Sequence, residues 1–120
     1  MSSTPFRLLV IGTDPRLSHL LRRYAEQCGC QLTEHAQTPG LAAVRQWQPD
    51  ALIFLSLEHL QTAQALVDEL AAHETPVLVC TAVAEEARAR ELGADACLLH
   101  PLTYAHFAAV LAAVAPAAPH

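Results

Sequence analysis

The feature that most constrains this chain is an alternation. Short apolar runs bounded by turn residues are separated by stretches whose apolar positions recur every three or four residues. Phe6 to Gly12 (FRLLVIG), Ala51 to Leu55 (ALIFL) and Pro76 to Cys80 (PVLVC) are nearly continuous apolar runs, the pattern of strands buried on both faces. Cys30 to Ala36 reads as a weaker strand and Ala96 to Leu99 (ACLL) as the last. After Asp14-Pro15, Leu17, Leu20, Leu21, Tyr24, Ala25 and Cys28 recur at helical spacing. Asp14 suits an N-cap, Pro15 the first helical position and Gly29 a left-handed stop. Thr38-Pro39 repeats that opening before a short helix from Leu41 to Trp47. A helix from Ser56 or Leu57 to about His73 follows, then a thinner one from Ala84 to Leu92 ending at Gly93. The final helix, capped by Thr103, carries Tyr104, Phe107, Val110, Leu111 and Val114 on its apolar face. Short buried strands joined by helical crossovers imply an α/β fold: (βα)5, a doubly wound five-stranded parallel sheet with helices on both faces. Residues 1–114 are expected to form this domain, and 115–120 (APAAPH) a tail or linker stub.

Composition narrows the chemistry. A chain of 120 residues can bury one core. No apolar run approaches the ~18 residues of a membrane span, and Met1 to Pro5 has no signal-peptide pattern, so a cytoplasmic address is expected. The net charge of −5 offers nothing to a phosphate backbone, so nucleic acid is not an expected partner. All seven basic residues are Arg, at 7, 16, 22, 23, 45, 88 and 90. The absence of lysine excludes Schiff-base chemistry and a P-loop. The four cysteines stand at 28, 30, 80 and 97 with no C-x-x-C, and are expected to stay reduced as small apolar residues. No metal and no cofactor is expected.

With the elements in place, five stretches resemble the receiver domain of two-component response regulators, over about Arg7 to Val114. LLVIGTDP (8–15) is similar to the first strand and its acidic turn, and GCQLTEHAQTPGLAAV (29–44) to the second strand and the entry to the second helix. PDALIFL (49–55) resembles the strand that ends in the phosphoacceptor aspartate, PVLVCTA (76–82) the fourth strand with its switch threonine, and GADACLLHPL (93–102) the fifth strand with its Lys-Pro pair. The resemblance implies a flavodoxin-like sheet of order 2-1-3-4-5.

It also implies a chemistry this chain lacks. A receiver transfers a phosphoryl group to an aspartate, with Mg²⁺ held by clustered carboxylates and with a hydroxyl and a lysine on the phosphoryl oxygens. Here the acidic-pair positions fall on Gly12 and Thr13, with Asp14 next at the helix-cap position. The phosphoacceptor position falls on Leu55, or one residue on at Ser56, which would need a general base to serve as a substitute. The lysine position falls on His100, ahead of Pro101, and only Thr81 matches. Thr81 is read either as a retained switching hydroxyl or as a strand-end threonine bonded to backbone. His100-Pro101 could be cis, as the resemblance implies, and His100 is read chiefly as a partly exposed loop histidine.

The functional expectation is a degenerate receiver, a pseudo-receiver, that is not phosphorylated on aspartate and acts by binding a protein partner or forming a homodimer. The partner surface implied by the resemblance would include Arg88, Cys97, Leu102 and Tyr104, with Cys97 at the place of the family's rotating aromatic residue. The alternative is a regulatory module binding a small molecule or anion at the C-terminal edge of the sheet, lined by Gly12–Asp14, Ser56, Thr81 and His100. A third reading is an enzyme in which Cys80 and His100 face each other at that edge, although no base–orienter pair is legible. The charged stretch AEEARARE (84–91), with Glu86 and Arg90 one turn apart, reads as a solvated face.

Overall fold

Strands form where the sequence runs apolar without a break. In the computed structural model, which describes residues 6–72 and 75–114, these are β1 (Arg7–Ile11), β2 (Gln31–His35), β3 (Ala51–Phe54), β4 (Val77–Thr81) and β5 (Ala96–Leu99). All pairings are parallel and the order is β2-β1-β3-β4-β5, as expected. Every residue of β3 and β4 is buried, whereas the edge strand β2 is partly exposed.

The period-two alternation of side chains divides the core into two layers. Leu8, Val10, Ile53, Leu78 and Leu98 pack with Leu17 and Leu21 of helix α1 (Pro15–Cys28) and with Phe107 and Leu111 of α6 (Tyr104–Val114). On the other face, Leu9, Ile11, Phe54 and Val79 pack with Val44 of α2 (Leu41–Trp47), Leu60 of α3 (Leu57–Thr62), Val67 of α4 (Gln64–Ala72) and Ala89 of α5 (Glu86–Glu91). Each of the Leu, Ile, Val and Phe side chains contributes about 1.5–3 kcal/mol on full burial.

Two aspartates hold the N-terminal ends of the strands in register. Asp50, just before β3, accepts the Arg7 N–H on Oδ2 at 2.7 Å and donates its own N–H to the Arg7 carbonyl at 2.7 Å. Asp95, just before β5, does the same for β4: its Oδ2 accepts the Val77 N–H at 2.8 Å and its N–H donates to the Val77 carbonyl at 2.7 Å.

Helix ends follow local chemistry with two exceptions. Asp14 caps α1, accepting the Leu17 N–H at 3.1 Å, and Gly29 closes it at φ +73°. Thr103 caps α6 through the His106 N–H at 3.2 Å. Thr38 does not cap α2. The cap position is Gly40, with no side-chain bond, because Thr38 stands three residues before the first helical residue and cannot reach its first-turn amides. The single helix expected from Ser56 or Leu57 is two, broken at Ala63 (φ −110°, ψ 22°). Ala63 donates to the Leu60 carbonyl at 3.1 Å, and the Gln64 side chain also bonds that carbonyl at 3.0 Å while reaching the Leu92 carbonyl at 2.9 Å. The Leu60 carbonyl is thereby drawn out of a regular helical ladder and α4 is tied to the end of α5. The expected end near His73 and the expected tail at 115–120 lie outside the described residues.

The thin helix near residue 84 begins with a 3-10 turn (Val83–Glu85) before α5, with Glu86 and Arg90 paired at 3.4 Å on its exposed face. Gly93 follows at φ +101°, and a Cβ there would stand 2.6 Å from Val67 Cγ1, so only glycine fits the turn against α4. Among the described residues no helix is long and apolar enough to cross a membrane.

Candidate functional site

The C-terminal ends of β1, β3 and β4 meet at the crevice where doubly wound sheets place their ligands. At the end of β1 the chain turns through Gly12, at φ +133°, with its N–H on the His35 carbonyl at 2.8 Å. A Cβ on Gly12 would lie 2.9 Å from Leu55 Cβ, 3.1 Å from His59 Cε1 and 3.2 Å from His59 Nδ1. The space an acidic side chain would need at position 12 is therefore taken by Leu55 and the His59 ring, and the backbone angle disfavours any residue but glycine.

Leu55 is 3% exposed and joins the core layer facing α1 and α6, its N–H on the Ile11 carbonyl at 2.9 Å. Ser56 follows as the N-cap of α3. Its Oγ accepts the His59 backbone N–H at 3.2 Å and lies 2.6 Å from His59 Nδ1. With one lone pair of Oγ taken by the backbone, the hydroxyl proton is free to be donated to Nδ1. His59 is the residue that sequence reading missed. Its signal was present as Ser56-x-x-His59, a spacing that brings N-cap and N3 side chains together.

Thr81, at the end of β4, is 1% exposed, and its hydroxyl finds no hydrogen-bond partner among the described residues. The reading of Thr81 as a strand-end threonine whose hydroxyl bonds the backbone is thus corrected: Oγ1 is buried and makes no such bond among the described residues. Its carbonyl accepts the His100 N–H at 3.0 Å. His100 is an exposed loop residue and its bond to Pro101 is cis.

Cys80 does not face His100. It is 2% exposed, in the layer against α1 and α6, and burial, helped by the charge of Asp14 and by Cys97, pushes its thiol up to about 12. Buried in that layer, the thiol is not presented at the edge where His100 is exposed, so the structure does not bring together the Cys80–His100 pair that the third reading requires.

Beside the crevice, Gly12, Thr13, Asp14, Ser18 and Glu34 line an open groove of about 300 Å³. Glu34 is also ion-paired with Arg22 of α1. Of the two carboxylates in its wall, Glu34 is thus matched by an arginine and Asp14 is engaged as the cap of α1. Among the described residues no three His, Cys, Asp or Glu side chains gather as a metal would require. The carboxylate-bound Mg²⁺ that the receiver fold implies does not fit here, since the acid positions carry Gly12 and Thr13 and the first is closed by its neighbours.

The residues expected on a partner surface divide. Arg88 is exposed and pairs with Glu91 at 3.3 Å, and Tyr104 is 38% exposed. Cys97 and Leu102 are 5% and 8% exposed, inside the sheet layer and beneath α6, so the expectation that they present a surface is corrected. Tyr104 stands with its ring 5.6 Å from Tyr24 and its phenol oxygen 3.4 Å from Cys28 Sγ. That thiol contact raises the phenol's pKa.

Strand order, crossover pattern and this crevice define the class: a flavodoxin-like doubly wound domain. Comparison with solved structures makes it specific, because the fold is that of response-regulator receiver domains. The chain is similar to a chemotaxis response regulator, CheY4 of Vibrio cholerae, at 16% identity with a TM-score of 0.75, covering 92% of this chain and 99% of that one. It is similar to a response regulator of Burkholderia multivorans at 24% identity and a TM-score of 0.67, covering 97% and 100%. It is also similar to the receiver domain of a Pseudomonas aeruginosa sensor histidine kinase, which carries a coordinated magnesium ion in its active-site cleft, at 18% identity and a TM-score of 0.70, covering 90% and 95%. No family model matches the chain, and no curated protein matches it.

Proposed function

We propose that the chain is a receiver-like signalling module of the phosphorelay type, cytoplasmic, that is not phosphorylated on aspartate and acts by binding a protein partner or by forming a homodimer. The observation that carries this reading is where the four aspartates stand. Asp14 caps α1, Asp50 and Asp95 clamp strand starts at the opposite edge of the sheet, and Asp68 is exposed on α4. None is at the end of β3, where Leu55 closes the core. A switch needs contacts that differ between two states; phosphate supplies none here, so the surface is fixed or is biased by a partner.

Two-dimensional amide NMR of the chain with Mg²⁺ and beryllofluoride tests this. No Mg²⁺-dependent shift is expected at Gly12, Ser56 or Thr81, and no phosphoryl adduct on aspartate after acetyl phosphate. A shift that requires both reagents, or an aspartyl phosphate in the mass spectrum, overturns the reading.

A further inference from the structure

We propose that Cys28 and Cys30 form a thiol–disulfide exchange site, in which Cys28 takes up a low-molecular-weight disulfide and Cys30 resolves the adduct into a Cys28–Cys30 bond. This goes beyond the signalling role and does not depend on it.

The turn at the end of α1 brings the two sulfurs together. Cys28 is the last residue of the helix, and Gly29 closes it at φ +73° and ψ 24°. The Gly29 N–H donates to the Glu26 carbonyl at 3.1 Å and the Cys30 N–H to the Ala25 carbonyl at 2.8 Å, so the Cys-Gly-Cys backbone is fixed. A left-handed residue folds the chain as tightly as a helical one, which puts the Cα atoms on either side of it about 5.5 Å apart. That separation is one a disulfide spans. The two thiols are close enough to hydrogen-bond each other. Backbone bonds alone close the helix, so the meeting of the sulfurs is no part of the cap.

The two sulfurs differ as exchange requires. Cys28 is exposed, and its thiol donates to the Tyr104 phenol oxygen, which comes from α6, at 3.4 Å. Cys30 is half-buried against the layer shared by α1 and α6. Burial, with Cys28 beside it, holds the Cys30 thiol above its ordinary value, so an incoming reagent meets Cys28 first. Cys80 and Cys97 are buried in the two core layers, one on each face of the sheet, and are shielded from a dissolved reagent. Among the described residues no third His, Cys, Asp or Glu joins the pair to make a metal site, whereas exchange needs two sulfurs only.

In the first step Cys28 gives its proton to water and the thiolate attacks one sulfur of the reagent. The reagent's S–S bond breaks, and its other half takes up a proton and leaves as a thiol. Cys30, deprotonated in turn, attacks the Cys28 sulfur, forms the Cys28–Cys30 bond and expels the second half as a thiol. Two protein thiols are oxidised to one disulfide and the reagent is reduced to two thiols. Cys28 then has no proton to donate to Tyr104, so the change is felt at the first residue of α6.

Oxidised glutathione is the probe, applied to the full chain at mildly alkaline pH, followed by acid quenching, alkylation of the remaining thiols and peptide mapping. The peptide carrying Cys28 and Cys30 should lose two hydrogens and escape alkylation, while Cys80 and Cys97 stay reduced. Because the turn is preformed, the equilibrium constant for the internal disulfide should be about tenfold larger in the native chain than in the chain unfolded in urea. Cys30→Ser should stop at a glutathione adduct on Cys28. An adduct that persists on Cys28 in the parent, a disulfide between two chains, or an internal bond no more favoured than in urea overturns the proposal. If Cys30→Ser fails to fold, the native-against-urea comparison in the parent decides alone.

Discussion

The His59 ring occupies the volume that a side chain on Gly12 would claim, 47 positions earlier in the chain, with ring atoms 3.1 and 3.2 Å from the missing Cβ. The two positions constrain each other, and Leu55 Cβ at 2.9 Å closes the third side. Gly12→Ala should therefore lose roughly 2–4 kcal/mol in urea unfolding, from a left-handed angle and an overpacked contact together. Gly12→Asp should lose at least as much and show no gain in Mg²⁺ affinity by calorimetry. An alanine variant as stable as the parent would mean the ring moves aside freely.

Among the described residues, the buried Thr81 hydroxyl has no hydrogen-bond partner. Replacing an unmatched polar group by an isosteric apolar one removes its desolvation cost. Thr81→Val is expected to raise stability by about 1 kcal/mol, read as a higher urea midpoint with an unchanged slope. A fall of similar size would show that the hydroxyl has a partner in solution.

The strand clamps are expected to be worth more than their position at the sheet's end suggests. Asp95→Ala frees the Val77 N–H from a charged acceptor at 2.8 Å and should cost about 1.5–3 kcal/mol. Asp68→Ala, on the exposed face of α4, should change stability by no more than about 0.5 kcal/mol. Equal effects of the two substitutions would contradict the clamp.

Alkaline pH should weaken the fold through Cys80. Its thiol ionises near 12 in the folded chain against an ordinary value of 9.0. Below pH 9 the folded and unfolded chains both keep the proton, and the contribution to stability is complete. Between about 9 and 12 the unfolded chain releases it first, so stability falls as pH rises, by at most about 1.4 kcal/mol per pH unit. Cys30, also raised chiefly by burial, acts with the same sign. Urea midpoints measured from pH 8 to 10.5 should drop more steeply in the parent than in Cys80→Ala. Parallel slopes would remove Cys80 as the cause. In the same samples, a thiol reagent should label exposed Cys28 at once and Cys80 and Cys97 only on unfolding.

Much of this was legible in the sequence wherever the cause is local. Asp14 and Pro15 start a helix, Gly29 stops it, and the runs at β1, β3 and β4 are apolar because both faces are covered. What could not be read depends on contacts between distant segments. The break at Ala63 arises because Gln64 reaches Leu92 across 28 positions. His59 gains its setting only when β1 brings Gly12 beside β3. The residue-by-residue match placed Cys97 and Leu102 on a partner surface, but matching positions carries no information about depth, and both lie under packed side chains.

Asp50 and Asp95 each hold two backbone bonds at the strand starts, far from the crevice. Neither can be reassigned to the other end of the sheet without unlatching the strand it secures. Both carboxylates are thereby committed to alignment: the same two side chains that set where β1 and β4 begin are out of reach of whatever the opposite edge binds, so the sheet's two ends can change independently of each other.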